Sequence, residues 1–331
     1  MATCQNTQNF LDTDDFYSIF LHILTIIEIP VHGFGVYIIL AKTPTKMKSV
    51  KGNMLLLHLV GACVDGYISF FTSPVLNLPA CSGYPLGVLT KLGVPTAIQL
   101  YFGISSVGVI VVTILIFFED RHHRLINGHG GRGWRRALYI AVHYTISLTF
   151  PIPTYLNIPD QELGLELTIT EVPCLPLDVF NRPGYIILSI DNSIPCLSMI
   201  FMLSLFIPQI IVFVISISWH LFRTTSQSAA TSRLQKQFFF AMCLQVFIPI
   251  FVLAFPVIYI IMSIVLGYFN QAASNLAICT IAFHGVLSTV TMLIVHTPYR
   301  QATLEIFHLS SKRGANSQLI WKTVNRSQQD N

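Results

Sequence analysis

Charge is scarce in this chain: Asp, Glu, Lys and Arg make up 10% of its 331 residues, where a soluble globular protein carries roughly 25%. With 53% of residues hydrophobic, the chain cannot cover itself in water, so much of its surface must face lipid. The net charge of +4 is too small to mark a nucleic-acid partner. Seven cysteines, scattered and without a CxxC pair, exclude a disulfide framework and offer no metal or redox site, so no cofactor is expected. A basic leader is also missing. Asp12, Asp14 and Asp15 precede the first apolar run, so that run is expected to persist as a membrane span. No internal repeat is visible, which speaks against the duplicated halves of many secondary transporters.

What the chain has is long apolar runs. A hydrocarbon core of about 30 Å requires roughly 20 apolar helical residues. Windows of that length run over 16–41, 54–72, 94–118, 134–155, 195–222, 238–266 and 272–296. Lipid demands that backbone hydrogen bonds close internally, and runs this long and continuous do so as helices. The expected fold is therefore an all-α membrane protein, a seven-transmembrane helix bundle. Residues 1–15 form an extracellular N-terminus, 16–296 the transmembrane domain and 297–331 a polar cytosolic tail.

Direction follows from the basic residues, which are retained in the cytoplasm. Of the 19 Lys and Arg, all but Lys91 and Arg182 fall in the first, third and fifth connections or the tail. The other face is acidic, with Asp12, Asp14, Asp15, Asp160, Glu162, Glu166, Glu171, Asp178 and Asp191. Both distributions place the N-terminus outside and the C-terminus in the cytosol.

Ionisable groups within the spans are costly and mark function or helix contacts. Glu28 and His32, one helical turn apart, can face either a ligand cavity or each other. Asp65 reads as a helix-packing or switching group rather than a ligand contact. His143 and His284 complete the set of candidate cavity residues, while His58 and His220 lie near the cytosolic ends and are expected to snorkel. Pro249 and Pro256, about two turns apart on one face, kink the sixth span, either as a pivot or simply for shape.

Cys4, Cys81 and Cys174 fall on the oxidising side, and either Cys81 or Cys4 could pair with Cys174. Cys63, Cys243 and Cys279 are intramembrane packing residues. His122, His123 and His129 form one loose group among arginines, not the convergent set a metal enzyme needs. The sequon Asn325–Ser327 lies in the expected cytosolic tail and should be unused. Beside the basic loops, hydroxyls at Thr224, Thr225, Ser226, Ser228, Thr231 and Ser232 suit lipid headgroups, an acidic protein partner or a kinase.

Several strings are more specific. TPTKMKSVK (Thr43 to Lys51), LLLHL followed by Asp65, GYPLG (Gly83 to Gly87) and FEDRHHRL (Phe118 to Leu125) recur with PDQE (Pro159 to Glu162) and PCLP (Pro173 to Pro176). QVFIPI (Gln245 to Ile250) and HGVLSTVTMLIVHTPYR (His284 to Arg300) follow. Together, from about residue 10 to 308, they resemble nematode serpentine chemoreceptors of class H, in the superfamily that includes the Str receptors. Asp120 stands where an Asn is usual, His122 where a Tyr is usual, and Thr297 where a Lys is common.

The resemblance implies a chemosensory G-protein-coupled receptor in the plasma membrane of a sensory neuron, at its cilium, binding a small-molecule cue within the bundle. It implies no enzyme activity. Glu119, Asp120 and Arg121 would form the coupling motif, with Arg121 its arginine, and Pro298, Tyr299 and Arg300 would lie at the same G-protein-facing end. A kinase or arrestin would act on that face. Two other classes are carried forward: a transporter or channel with an ion path through Glu28 and Asp65, and an intramembrane enzyme using the histidines.

Overall fold

A computed structural model describes residues 3–4, 9–126, 133–223 and 229–307, excluding the side chains of 3, 4, 46 and 229–231. His129, the hydroxyls of Thr224, Thr225, Ser226, Ser228 and Thr231, the Asn325–Ser327 sequon and the basic residues beyond 307 lie outside the described residues.

The bundle is built from α1 (Asp14–Lys42), α2 (Lys48–Gly66), α3 (Thr96–Ile126), α4 (Trp134–Thr149), α5 (Ser193–Arg223) and α6 (Ala229–Leu266). A bent pair, α7 (Gln271–Ala282) and α8 (His284–Val295), closes it, and an amphipathic helix α9 (Thr297–Ile306) follows. In α1, Thr13 accepts the Phe16 N–H at 3.3 Å, and Asp14 and Asp15 complement the helix dipole at its start, as Lys42 does at its end. The buried residues Tyr17, Leu21, Leu24, Glu28, His32, Gly35 and Ile38 recur every three or four positions, so Glu28 and His32 lie on the stripe that faces the bundle.

Among the described residues, five helices are long and apolar enough to cross a membrane, and the α7–α8 pair, bent by 40°, makes a sixth. The fourth expected span is corrected here. Its helix stops at Thr149 after 16 residues, and a short helix, Ile152–Leu156, follows the break at Pro151. Proline at 151 removes a backbone donor and clashes with the preceding turn, which an apolar run does not reveal.

At one end of the bundle, strands β2 (Pro74–Asn77) and β3 (Ser82–Pro85) form a hairpin, with Val75 opposite Tyr84. The long connection after α4 returns to add β4 (Ile186–Ile187) to β3. Ser73, with φ of 43°, turns the chain from the end of the second span into this sheet. Near the N-terminus, β1 (Thr3–Cys4) pairs in parallel with β5 (Tyr268–Phe269). The opposite end carries the basic connections and α9.

Candidate functional site

Three structures occupy the axis of the bundle: a polar network in its middle, an apolar cavity under the sheet, and a groove at the basic end.

The network centres on Asp65, which is fully buried. Its Oδ1 lies 2.9 Å from Nδ1 of His284 and accepts the Gly285 N–H at 3.2 Å. Its Oδ2 lies 3.3 Å from Nε2 of His32 and accepts the Val286 N–H at 3.0 Å. The two amides belong to the first turn of α8, whose intrahelical acceptors were lost at the α7–α8 bend. Asp65 therefore caps α8 from another helix, with its charge at the positive end of the helix dipole. A Cβ on Gly285 would collide with this carboxylate, so glycine is required by space. Beside it, Ser69 donates to Oε2 of Glu28 at 2.6 Å, and Oε1 of Glu28 is buried without a hydrogen-bond partner.

His58 joins the network rather than snorkelling. It faces the His32 carbonyl at 3.1 Å and packs where Gly35 has no side chain. The absence of a Cβ on the neighbouring helix, invisible from position 58 alone, holds it inside. His143 sits apart, with Nδ1 2.7 Å from the Tyr139 carbonyl and Nε2 3.2 Å from Oε1 of Gln209, which also accepts from the Tyr139 hydroxyl at 2.7 Å.

The apolar cavity, of about 200 Å³, lies between the second span, α3, α5, α6 and α7, and Pro74 and Leu76 of β2 line its sheet-capped end. Its walls include Ile104, Val107, Leu203, Ile261 and Ile281, with Gln99 and Tyr67 among the few polar side chains. None of Glu28, His32, His143 or His284 lines it. Those four are turned toward hydrogen-bonding partners on neighbouring helices instead, because a buried charge or imidazole is costly unless paired.

Above the bundle a second, polar hollow of about 910 Å³ is bordered by Asp12, Asp14, Asp15 and Asp178. Arg182 pairs with Asp14 at 2.9 Å and Tyr84 donates to it at 2.7 Å. Burial and the adjacent Asp14 push the Tyr84 hydroxyl pKa up.

The cysteines here correct one expectation. Cys174 is disulfide-bonded whereas Cys81 is a free thiol, so the Cys81–Cys174 pair is not formed. Cys81 sits in the β2–β3 turn with φ of 43°, and burial pushes its thiol up to about 12, leaving it protonated and unreactive. The side chain of Cys4, the other candidate, lies outside the described residues.

At the basic end, Glu119 and Asp120 do not hold Arg121. Arg136 of α4 takes both: its Nε donates to Glu119 at 3.0 Å, and its Nη2 reaches Glu119 at 2.8 Å and Asp120 at 2.7 Å. Arg124 adds a 2.7 Å bond to Asp120. Arg121 is left over the Phe238 ring, 5.4 Å from its centroid, with Nε buried and unpartnered. It borders a groove of about 580 Å³ with Val50, Phe238, Ala241, His296 and Pro298. His296 is fixed by Gln245 at 2.8 Å, and the fully buried Tyr299 shares a 2.8 Å hydrogen bond with Thr43. Arg300 donates through Nη1 to the Ile294 carbonyl at 3.3 Å. The roles of Arg136 and Gln245 were missed from the sequence: each is read there as a loop charge or a span polar residue, and nothing local names its partner.

Pro249 and Pro256 lie inside α6, between its groove-lining residues (Leu234 to Ala241) and its cavity-lining residues (Val257 to Ile261). One continuous helix thus borders both hollows.

Such a bundle, sheet-capped at one end and grooved at the other, is of the seven-transmembrane class. The crystal structure of squid rhodopsin superposes on it with a TM-score of 0.50, covering 90% of this chain and 87% of that one at 13% identity. Residues 12–309 match the family model of the serpentine type 7TM GPCR chemoreceptor Srh. The chain belongs to this family of chemoreceptors and is a multi-pass membrane protein. Serpentine receptor class H-72 of Caenorhabditis elegans is 26% identical over 322 residues, spanning 92% of this chain and 89% of that relative.

Proposed function

We propose that this chemoreceptor binds a small, largely apolar cue in the cavity beneath the sheet and passes the event to a heterotrimeric G protein at the Arg121 groove. The observation that carries the reading is that α3 and α6 border both hollows, at opposite ends. A ligand that favours one packing of these helices shifts the groove by its differential affinity for the two packings. The cavity falls below the roughly 300–1,000 Å³ of drug-sized sites, which suits a compact molecule. Pro249 and Pro256, between the hollows, are the pivot in this scheme.

The basic end faces the cytosol on this reading, with residues 1–15 outside, 16–296 as the membrane domain and 297–331 as the tail. The setting is the plasma membrane of a sensory neuron, at its cilium, with a kinase or arrestin acting on the cytosolic hydroxyls. Asp65 serves as the packing group that holds α8 to α2. An ion path through Glu28 and Asp65 has less support, since both Asp65 oxygens are each occupied by two neighbours.

The test is a G-protein activation screen in receptor-expressing cells, followed by Gly103→Leu. Gly103 lines the cavity, and a Cβ there would meet only Tyr67 Cε1 at 3.6 Å, so the larger side chain can enter the cavity. Loss of response at unchanged surface expression is expected. An undiminished response would place the ligand elsewhere.

A further inference from the structure

The apolar cavity is shut toward the water and loosely walled toward the lipid. Its roof residues belong to β2, whose carbonyls are tied to two helices. Tyr17 of α1 donates to the Pro74 carbonyl at 2.7 Å, and Gln271 Nε2 of α7 donates to the Leu76 carbonyl at 3.1 Å. Asn77 Nδ2 donates to Oε1 of the same Gln271 at 3.1 Å, and β3, buried throughout, pairs along β2. The polar hollow above shares no lining residue with the cavity below. A molecule passing from one to the other would part these hydrogen bonds and leave their buried groups unsatisfied.

The side wall is different. α3 packs closely on α5, and α6 on α7 and α8, whereas α5 and α6 touch at only a few points. The cavity lies in that seam, with Met199 and Leu203 of α5 on one side and Val257, Ile260 and Ile261 of α6 on the other, all of them half-buried. The residues beside them in sequence, Ile200, Phe201, Ile258 and Met262, are exposed and apolar. No charged residue occurs from Ser193 to Trp219 or from Gln237 to Leu266, so the seam faces hydrocarbon rather than water.

We infer that the cue reaches the cavity sideways, from the bilayer through the seam between α5 and α6, and that its class is a neutral, hydrocarbon-bodied molecule that dissolves in lipid first. This deepens the proposed ligand site and rests on it. No Asp, Glu, Lys, Arg or His lines the cavity, so a charged group would be buried there uncompensated. The bilayer also concentrates such a molecule ahead of binding, because transfer of apolar surface out of water is favourable.

The probes are fluorobenzene and a series of phosphatidylcholines of graded chain length whose acyl chain ends in a para-fluorophenyl ring. Each is added to the purified receptor in lipid nanodiscs and followed by fluorine NMR. The headgroup anchors the tethered ring within the membrane, so that ring can fill the cavity only through the seam. Both probes are expected to give a protein-bound resonance, and both resonances should be lost on adding excess toluene and in Gly103→Leu. A bound signal from fluorobenzene with none from any tethered ring would overturn the lateral route and leave the cavity standing. A tethered signal that toluene does not displace would put the ring on the lipid-facing surface and overturn the route as well. No bound signal from either probe would overturn the cavity as the ligand site together with the route. Displacement by toluene decides the matter even if Gly103→Leu does not fold.

Discussion

Asp65 and His284, on different helices and more than two hundred positions apart, meet at 2.9 Å, where the carboxylate closes the break between α7 and α8. His284 Nδ1 also lies 3.1 Å from the Ile281 carbonyl, so its hydrogen is shared between the last turn of α7 and Asp65. The last span of the bundle is bent at a point where another helix supplies the missing acceptor.

Asp65→Ala is therefore expected to cost about 3–5 kcal/mol, the range for removing one partner of a buried charged cluster. It leaves the Gly285 and Val286 amides without their acceptor and takes one partner each from His32 and His284, which keep Thr289 and the Ile281 carbonyl. Thermal unfolding in nanodiscs measures this, and a loss below the roughly 0.6 kcal/mol of an average interhelical polar contact would refute the capping role. Gly285→Ala should also destabilise, because its Cβ enters the space of the carboxylate.

Arg136→Ala should remove the brace that keeps Glu119 and Asp120 away from Arg121. Asp120 keeps Arg124 while Glu119 loses its only described ion-pair partner. Arg136→Lys should rescue only part of the stability, since an ammonium cannot reproduce the bidentate fork on Glu119. Full rescue by lysine would show that charge alone matters there.

Arg121→Ala is expected to reduce G-protein activation by about 5–150-fold, the range of typical coupling free energies, while leaving ligand affinity nearly unchanged. Arg121 borders the groove and lies far along α3 from the cavity residues Gln99 to Val107. Equal activation at matched surface expression removes it from the coupling surface.

Cys174→Ser should lower thermal stability by about 2–4 kcal/mol, the usual contribution of a disulfide, and reduce surface expression. Cys81→Ser should do neither, because Cys81 carries a free thiol. If Cys81→Ser behaved like Cys174→Ser, a cross-link between the two would be indicated instead of a free Cys81 thiol.

The apolar runs, the lopsided basic residues and the class H strings were legible because each is a local property of the chain. The inward stripe of α1 could be read in the same way, since Glu28 and His32 share a helical face. What Asp65, His58 and Arg121 touch was not legible: each partner lies on another helix, at His284, at Gly35 and at Phe238. The chain beyond Thr149 continued to look apolar although proline had already ended the helix. The disulfide was ambiguous for a similar reason, since three cysteines on one side of a membrane give no distances between them.

By itself, the sequence determined a lipid-solvated helix bundle, because solvent compatibility and helix length depend on composition over windows of about 20 residues, while its family was carried by the resemblance of particular strings. Only the tertiary structure decided that Asp65 meets His32, His284 and the first turn of α8, and that Arg136 takes the acids beside Arg121. Those outcomes depend on which side chains meet across helices, and a buried polar group takes whichever partner the packing brings within hydrogen-bond reach.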